Sequence, residues 1–262
     1  MKARTNGIQT QYEVHGPEGA PWLVLGHSLA CSARMWDPQI EALKGRYRVL
    51  AYDTRGHGGS EATPGAYTLE LLADDLKALL DHLRITAAHY CGLSMGGMIG
   101  QTFALKHPGI LRSLTLADTT SRYPTAAWPT WQERIRIAET QGMAPLAPPT
   151  LERWFTAGFR AQNPGPVEAI RKLILATPVA GYVGCCHAIP KIDLTARLKE
   201  IRCPILVIVG ADDPGTPVAM AREIHDHAPG SRLVVLPQAA HLANLEQPEG
   251  FSRALEDFVR SS

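Results

Sequence analysis

The sequence predicts an α/β fold: a mostly parallel central sheet flanked by helices, with one helical insertion. Three observations predict it. Strand and helix signals alternate along most of the chain. One apolar strand runs directly into a Gly-x-Ser-x-Gly turn and an apolar helix. The alternation then stops between about residues 121 and 191, where prolines crowd together. Repeated β-then-α units imply parallel strands with helices on both faces.

The elements follow in order. Ile8 to Val14 alternates polar and apolar residues, the pattern of a strand with one wet face. Trp22 to Leu25 is a continuous apolar run, as expected for a strand covered on both sides. A short helix over Trp36 to Leu43 and a strand over Tyr47 to Tyr52 come next. Leu69, Leu72, Leu76, Leu79, Leu80 and Leu83 then trace one face of an amphipathic helix. The strand ending near Gly92 is followed by a helix over Met98 to His107. Strands over Leu111 to Ala117, Pro204 to Val209 and Ser231 to Leu236 and a closing helix over Phe251 to Val259 complete the series.

The exception is the stretch from Ser121 to Lys191. It holds Trp128, Trp131 and Trp154 and is punctuated by prolines such as Pro129, Pro148, Pro149 and Pro178. Short helices are expected over Trp131 to Thr140 and Pro166 to Ala176. An aromatic-rich, proline-broken insertion between two strands reads as a cover over the crevice where parallel sheets bind ligands.

Bulk composition narrows the function classes. With 26 basic and 25 acidic residues in 262, and no block of like charge, the chain lacks the concentrated basic surface that a nucleic acid or anionic membrane needs. The opening MKARTNGIQTQYEVHG has no apolar secretory core, and no apolar run has bilayer-spanning length, so a cytoplasmic protein is expected. Five cysteines make an odd number without framework spacing. Cys91 and Cys203 flank apolar strands and read as buried, inert thiols. Cys185-Cys186-His187 is a poor tetrahedral metal set without a second pair. His225 and His227 lie two apart in a helical stretch and do not share a face. No metal site is expected.

The segment Ala88 to Gly97 carries the chemistry. A serine on a tight strand-to-helix turn has strained backbone angles and projects its hydroxyl from the sheet. Gly92 and Gly96 lack Cβ atoms, so strand and helix can close around Ser94. The helix that starts behind it favours negative charge there.

On this architecture the partners follow in the order Ser, acid, His. Asp213, after the strand ending at Val209, and His241, after the strand ending at Leu236, both lie on loops at the sheet's C-terminal edge. Ser94 would attack, His241 would take its proton, and Asp213 would hold the imidazole tautomer. Asp212 and Asp118 are rival acids, and His27 and His57 also follow strands. His57 reads as a structural loop residue, with Arg55 and Asp53 pairing locally. The backbone N–H groups of Met95 and Leu29 are the expected oxyanion donors.

With these residues assembled, the chain resembles the α/β-hydrolase superfamily, and more narrowly the 3-oxoadipate enol-lactonase group and its esterase relatives. The matching pieces are Tyr52-Asp53-Thr54-Arg55-Gly56-His57-Gly58, Gly92-Leu93-Ser94-Met95-Gly96-Gly97-Met98, Gly181-Tyr182 with Cys186 and Ala188-Ile189, and Ala240-His241-Leu242 with Asn244. The resemblance implies an α/β-hydrolase fold with a core over 1–120 and 192–262. A helical cap over 121–191 follows its sixth strand.

The implied activity is hydrolysis of a small lactone or ester through an acyl-serine, without metal or organic cofactor. Its partner is the small-molecule substrate, and monomer or homodimer stays open. Trp131 and Arg134 match cap positions that face the pocket in enol-lactonases, where Arg suits a substrate carboxylate. A solvated helix face is the alternative for Arg134. His27-Ser28 departs from the His-Gly that many of these hydrolases carry. A general carboxylesterase, a carbon–carbon bond hydrolase and a slow ligand receptor on the same fold are the competing functions.

Overall fold

The computed structural model describes residues 1–262. Its centre is an eight-stranded sheet in the order β1-β2-β4-β3-β5-β6-β7-β8. The strands are β1 (Lys2–Thr5), β2 (Ile8–His15), β3 (Trp22–Gly26), β4 (Arg48–Tyr52), β5 (Ala88–Leu93), β6 (Leu111–Ala117), β7 (Ile205–Gly210) and β8 (Arg232–Leu236). The β1–β2 and β2–β4 pairs are antiparallel and all others parallel.

β1 is absent from the sequence reading, because four residues with Lys2 and Arg4 on the wet face bury too little to show a pattern. Its turn residues Asn6 and Gly7 both have positive φ, 45° and 82°, as a tight hairpin requires. With β1 counted, Leu111–Ala117 is the sixth strand.

The helices of the sheet region are α1 (Asp37–Leu43), α2 (Leu69–His82) and α3 (Met95–Lys106). Thr68 caps α2 by accepting from the Leu71 N–H, and its leucine stripe is buried against the sheet. Between β6 and β7 come α4 (Trp128–Gln141), α5 (Ala147–Trp154), α6 (Ala157–Gln162), α7 (Pro164–Ala176) and α8 (Val179–Ala188). Only α4 and α7 match the expected pieces. In α5, Pro148 and Pro149 sit in the first turn, where missing N–H groups cost nothing, so prolines that look like breakers start a helix. α8 is buried nearly all round and carries two glycines, so it shows no amphipathic period. The chain closes with α9 (Val218–His227), the single turn α10 (Ala243–Glu246) and α11 (Pro248–Arg260). No single helix is long and apolar enough to cross a membrane.

Strand order reverses between β3 and β5: the chain builds outward through β4 on one side and through β6, β7 and β8 on the other. Loops after β3 and β5 therefore part at this point and open a crevice at the C-terminal edge. The 53–60 loop that borders it is braced by ions. Arg55 does not pair with Asp53 as expected. Its Nε and Nη2 donate to Asp75 on α2 at 2.7 and 2.6 Å, both partners being about 6% exposed. Asn6 donates to the same carboxylate at 2.7 Å, tying in the first hairpin. Asp53 instead accepts from the Ala33 and Gly59 N–H groups, each at 2.8 Å. Asp75→Ala would strand a buried guanidinium and should cost about 3–5 kcal/mol in urea unfolding. Replacing both partners by apolar residues should recover most of that loss.

Candidate active site

Ser94 follows β5 with φ 55° and ψ −115°, a conformation that L-residues rarely adopt. Close packing imposes it. A Cβ at Gly92 would lie 2.2 Å from the Gly96 carbonyl oxygen, and one at Gly96 2.2 Å from that of Gly26. The Ser94 N–H donates to the Ala117 carbonyl at 2.9 Å, and the Thr119 hydroxyl donates to the Ser94 carbonyl at 2.7 Å. The backbone on both sides of the serine is thus pinned to the end of β6.

Asp213 and His241 meet across the loops after β7 and β8. His241 Nδ1 donates to Asp213 Oδ2 at 2.8 Å, with both side chains buried. The Thr216 hydroxyl donates to the same oxygen at 2.6 Å, and the N–H groups of Gly215 and Thr216 donate to Oδ1 at 2.7 and 3.1 Å. Burial pushes the Asp213 carboxyl up. The His241 charge, the His241 hydrogen bond and those from Thr216 outweigh it and hold the group below the ordinary aspartate range.

The rival acids separate by geometry. Asp212 is exposed and lines a separate surface groove, not the cavity that holds Ser94 and His241. Asp118 is fully buried, accepts from the Gly210 N–H at 2.7 Å through Oδ1, and leaves Oδ2 without a partner. Burial, with the Asp213 charge behind it, drives the Asp118 carboxyl well above the usual range.

Ser94 and His241 line one cavity of about 240 Å³, shared with Leu29, Trp131, Arg134 and Arg153. No hydrogen bond joins Ser94 to His241 in this unliganded geometry; such bonds commonly tighten only when substrate binds. The Leu29 and Met95 N–H groups donate to no protein acceptor. They belong to the loop after β3 and the first residue of α3, the two sides of the strand-order switch.

The cavity roof comes from the 121–191 insertion. The Arg134 guanidinium lies 4.5 Å from the Trp131 ring centroid in cation–π contact, and neither Arg134 nor Arg153 has a carboxylate partner. Burial, reinforced by the Arg134 charge, lowers the Arg153 guanidinium from its ordinary value. Arg153 is absent from the sequence reading, and Trp154 enters it only as an aromatic of the insertion, with no place at the site. Trp154 stacks on the His241 ring, 5.9 Å between centroids at 30°. Missing α5 meant missing their place at the site, since that helix turns both toward the cavity.

The remaining candidates have structural partners. His27 Nδ1 donates to the Ser28 carbonyl at 2.7 Å and Nε2 accepts from the Thr54 N–H at 2.8 Å. His57 Nδ1 donates to the Arg55 carbonyl at 3.2 Å, and the two rings stand 5.3 Å apart. Cys185 and Cys186 are buried within α8, and His225 bonds Ser231. Cys91 is fully buried, whereas Cys203 is only half-buried; burial still pushes the Cys203 thiol up to about 11.

A model of the α/β-hydrolase fold family matches residues 21–248. The chain belongs to the α/β-hydrolase family. It is 38% identical to 3-oxoadipate enol-lactonase 2 of Acinetobacter baylyi over 97% of this chain and 94% of that protein. The crystal structure of the enol-lactonase from Burkholderia xenovorans superposes on this hydrolase with a TM-score of 0.96 at 38% identity, covering 99% of this chain and 100% of that one. A thermophilic esterase from Thermogutta terrifontis, solved with malate bound, gives 0.93 at 31% identity, covering 100% and 98%.

The buried imidazoles set the acid limit of this hydrolase. Burial drives His27 down to about 4 and His57 to about 3, the latter helped by its neighbour's charge. The unfolded chain takes up these protons near pH 6.5, while the folded protein resists them until pH 4 or below. Stability from this pair is therefore complete above about pH 6.5 and lost as pH falls toward 4, by roughly 3 kcal/mol per ring. The melting temperature should drop by roughly 5–10 °C between pH 7.5 and pH 5. His57→Asn should flatten that slope, and an unchanged slope would reject the assignment.

Proposed function

We propose that this hydrolase cleaves a small, negatively charged lactone or ester through a Ser94 acyl-enzyme, in the manner of an enol-lactonase. The observation that carries the reading is the buried 2.8 Å bond from His241 to Asp213 beside a strained Ser94 in one cavity.

In the proposed reaction His241 Nε2 takes the Ser94 hydroxyl proton as Oγ bonds to the substrate carbonyl carbon. The carbonyl π pair moves onto oxygen, where the Leu29 and Met95 N–H groups receive it. On collapse the ring C–O bond breaks and His241 returns the proton to the departing oxygen. In a lactone that oxygen stays tethered to the acyl chain. Water, deprotonated by His241, then attacks the acyl-serine, and a second collapse frees the acid and restores Ser94. Asp213 offsets the imidazolium charge on His241 in both halves.

Substrate class rests on the roof. A cavity of about 240 Å³ is below the ~300–1,000 Å³ of sites for drug-sized ligands, which favours a small molecule. Two half-buried guanidiniums without counter-ions favour a carboxylate on it. In this reading residues 121–191 form a cap with Trp131, Arg134 and Arg153 as its pocket face. Residues 1–120 and 192–262 form the core, and the protein works in the cytoplasm. A generalist short-chain esterase is the second reading, favoured by the likeness to the Thermogutta terrifontis esterase.

A rate comparison across 3-oxoadipate enol-lactone, neutral lactones and p-nitrophenyl esters separates the two; equal rates on all would favour the generalist. Ser94→Ala should abolish turnover, and Asp213→Asn should lower kcat by about 10³–10⁴-fold while Asp212→Asn has little effect. The reverse order would move the acid to Asp212. Arg153→Met should raise KM for an anionic substrate by about 10-fold or more and leave a neutral ester of the same length nearly unchanged.

A further inference from the structure

Glu246 is the one buried carboxylate that reaches from the core into the 121–191 insertion. It sits at the end of α10, is 8% exposed, and forms no ion pair with any Lys, Arg or His. Its charge is met by neutral donors only. Oε1 accepts from the Thr156 N–H at 2.9 Å and from the Thr156 hydroxyl at 2.7 Å. Oε2 accepts from the Ala240 N–H at 2.5 Å. Thr156 lies at the corner between α5 and α6, and Ala240 immediately precedes His241. One carboxylate therefore holds two backbone N–H groups that are far apart in sequence.

A second bond crosses the same boundary: the Leu242 N–H donates to the Trp154 carbonyl at 3.1 Å. The residues on either side of His241 are thus each fastened to the α5 corner, and the Trp154 ring covers the imidazole between them. The opposite end of the arrangement faces the ligand space, where Thr150, Arg153 and Trp154 of α5 line the cavity.

We propose that Glu246 is a positioning residue that locks the α5 corner to the His241 loop, so that the roof of the pocket and the general base move as one body. The proposal rests on the assignment of His241 as base. Hydrogen bonds to an ionised acceptor are roughly twice as strong as neutral ones, which suits a carboxylate here. A glutamine would turn an NH₂ toward an N–H donor and lose one side of the strut.

The test measures kcat and KM of Glu246→Gln, Thr156→Val and the double variant on a neutral p-nitrophenyl ester, with thermal melts alongside. Glu246→Gln should lower kcat about 10-fold or more, with KM changed less than about two-fold, since the loss falls on the base rather than on binding. Thr156→Val, remote from the reacting atoms, should lower kcat about three-fold or more. The double variant should be no slower than Glu246→Gln, because both act through one strut. Unchanged kcat in Glu246→Gln, or effects that multiply in the double variant, would overturn the proposal. If Glu246→Gln melts below assay temperature, Thr156→Val decides: a normal kcat there sinks it. A wild-type chain without turnover would remove the hydrolase reading and the strut with it, whereas an active wild type with an equally active Glu246→Gln removes only the strut.

Discussion

Everything at this site depends on how closely β3, β5 and α3 approach one another. The Gly92, Gly96 and Gly26 backbones touch at distances that no Cβ could occupy, and that contact bends the chain at Ser94 into its strained turn. Strain of this kind, on the order of 1–3 kcal/mol, persists only where the surroundings over-determine it. Here the sheet supplies that constraint, because the Ser94 N–H and C=O are both fastened to residues at the end of β6. The same approach carries the start of α3 beside the loop after β3, the two segments that hold Met95 and Leu29.

Electrostatics pushes the two buried acids at the sheet edge in opposite directions. Asp213 and Asp118 follow neighbouring strands and are both buried, yet the first carboxyl is held below the ordinary aspartate range and the second is pushed above it. The difference is the donor set. Asp213 collects two backbone N–H groups, a hydroxyl and the imidazole. Asp118 has an oxygen with no protein partner. The carboxylate that bonds the imidazole is the one whose charged form its surroundings favour.

The core was legible from periodicity because its strands and helices obey simple spacing rules. Ser94, Asp213 and His241 could be ordered from chain position alone, since each follows a parallel strand. The first hairpin was overlooked although Asn6-Gly7 is a strong turn pair, for β1 itself is too short and too charged to show a pattern. The roof was the harder part. Helix α8 has no repeating stripe, and Pro148 and Pro149 start α5 where they seemed to forbid a helix. The place of Arg153 and Trp154 at the site was lost with that helix. The expected Arg55–Asp53 pair failed for a related reason: local proximity in sequence said nothing of Asp75, which arrives from α2.

The thiols add a last consequence. Cys31, Cys91, Cys185 and Cys186 are sealed inside, and the half-buried Cys203 has its ionisation pushed up to about 11. At pH 7 such a group is thiolate in roughly one molecule in ten thousand, and thiolate is the form that reacts with peroxide and alkylating agents. The cysteines therefore offer electrophiles a background of largely silent sulfur. Under the proposed mechanism, an acyl or phosphonyl reagent would then meet Ser94 with little competition from the thiols.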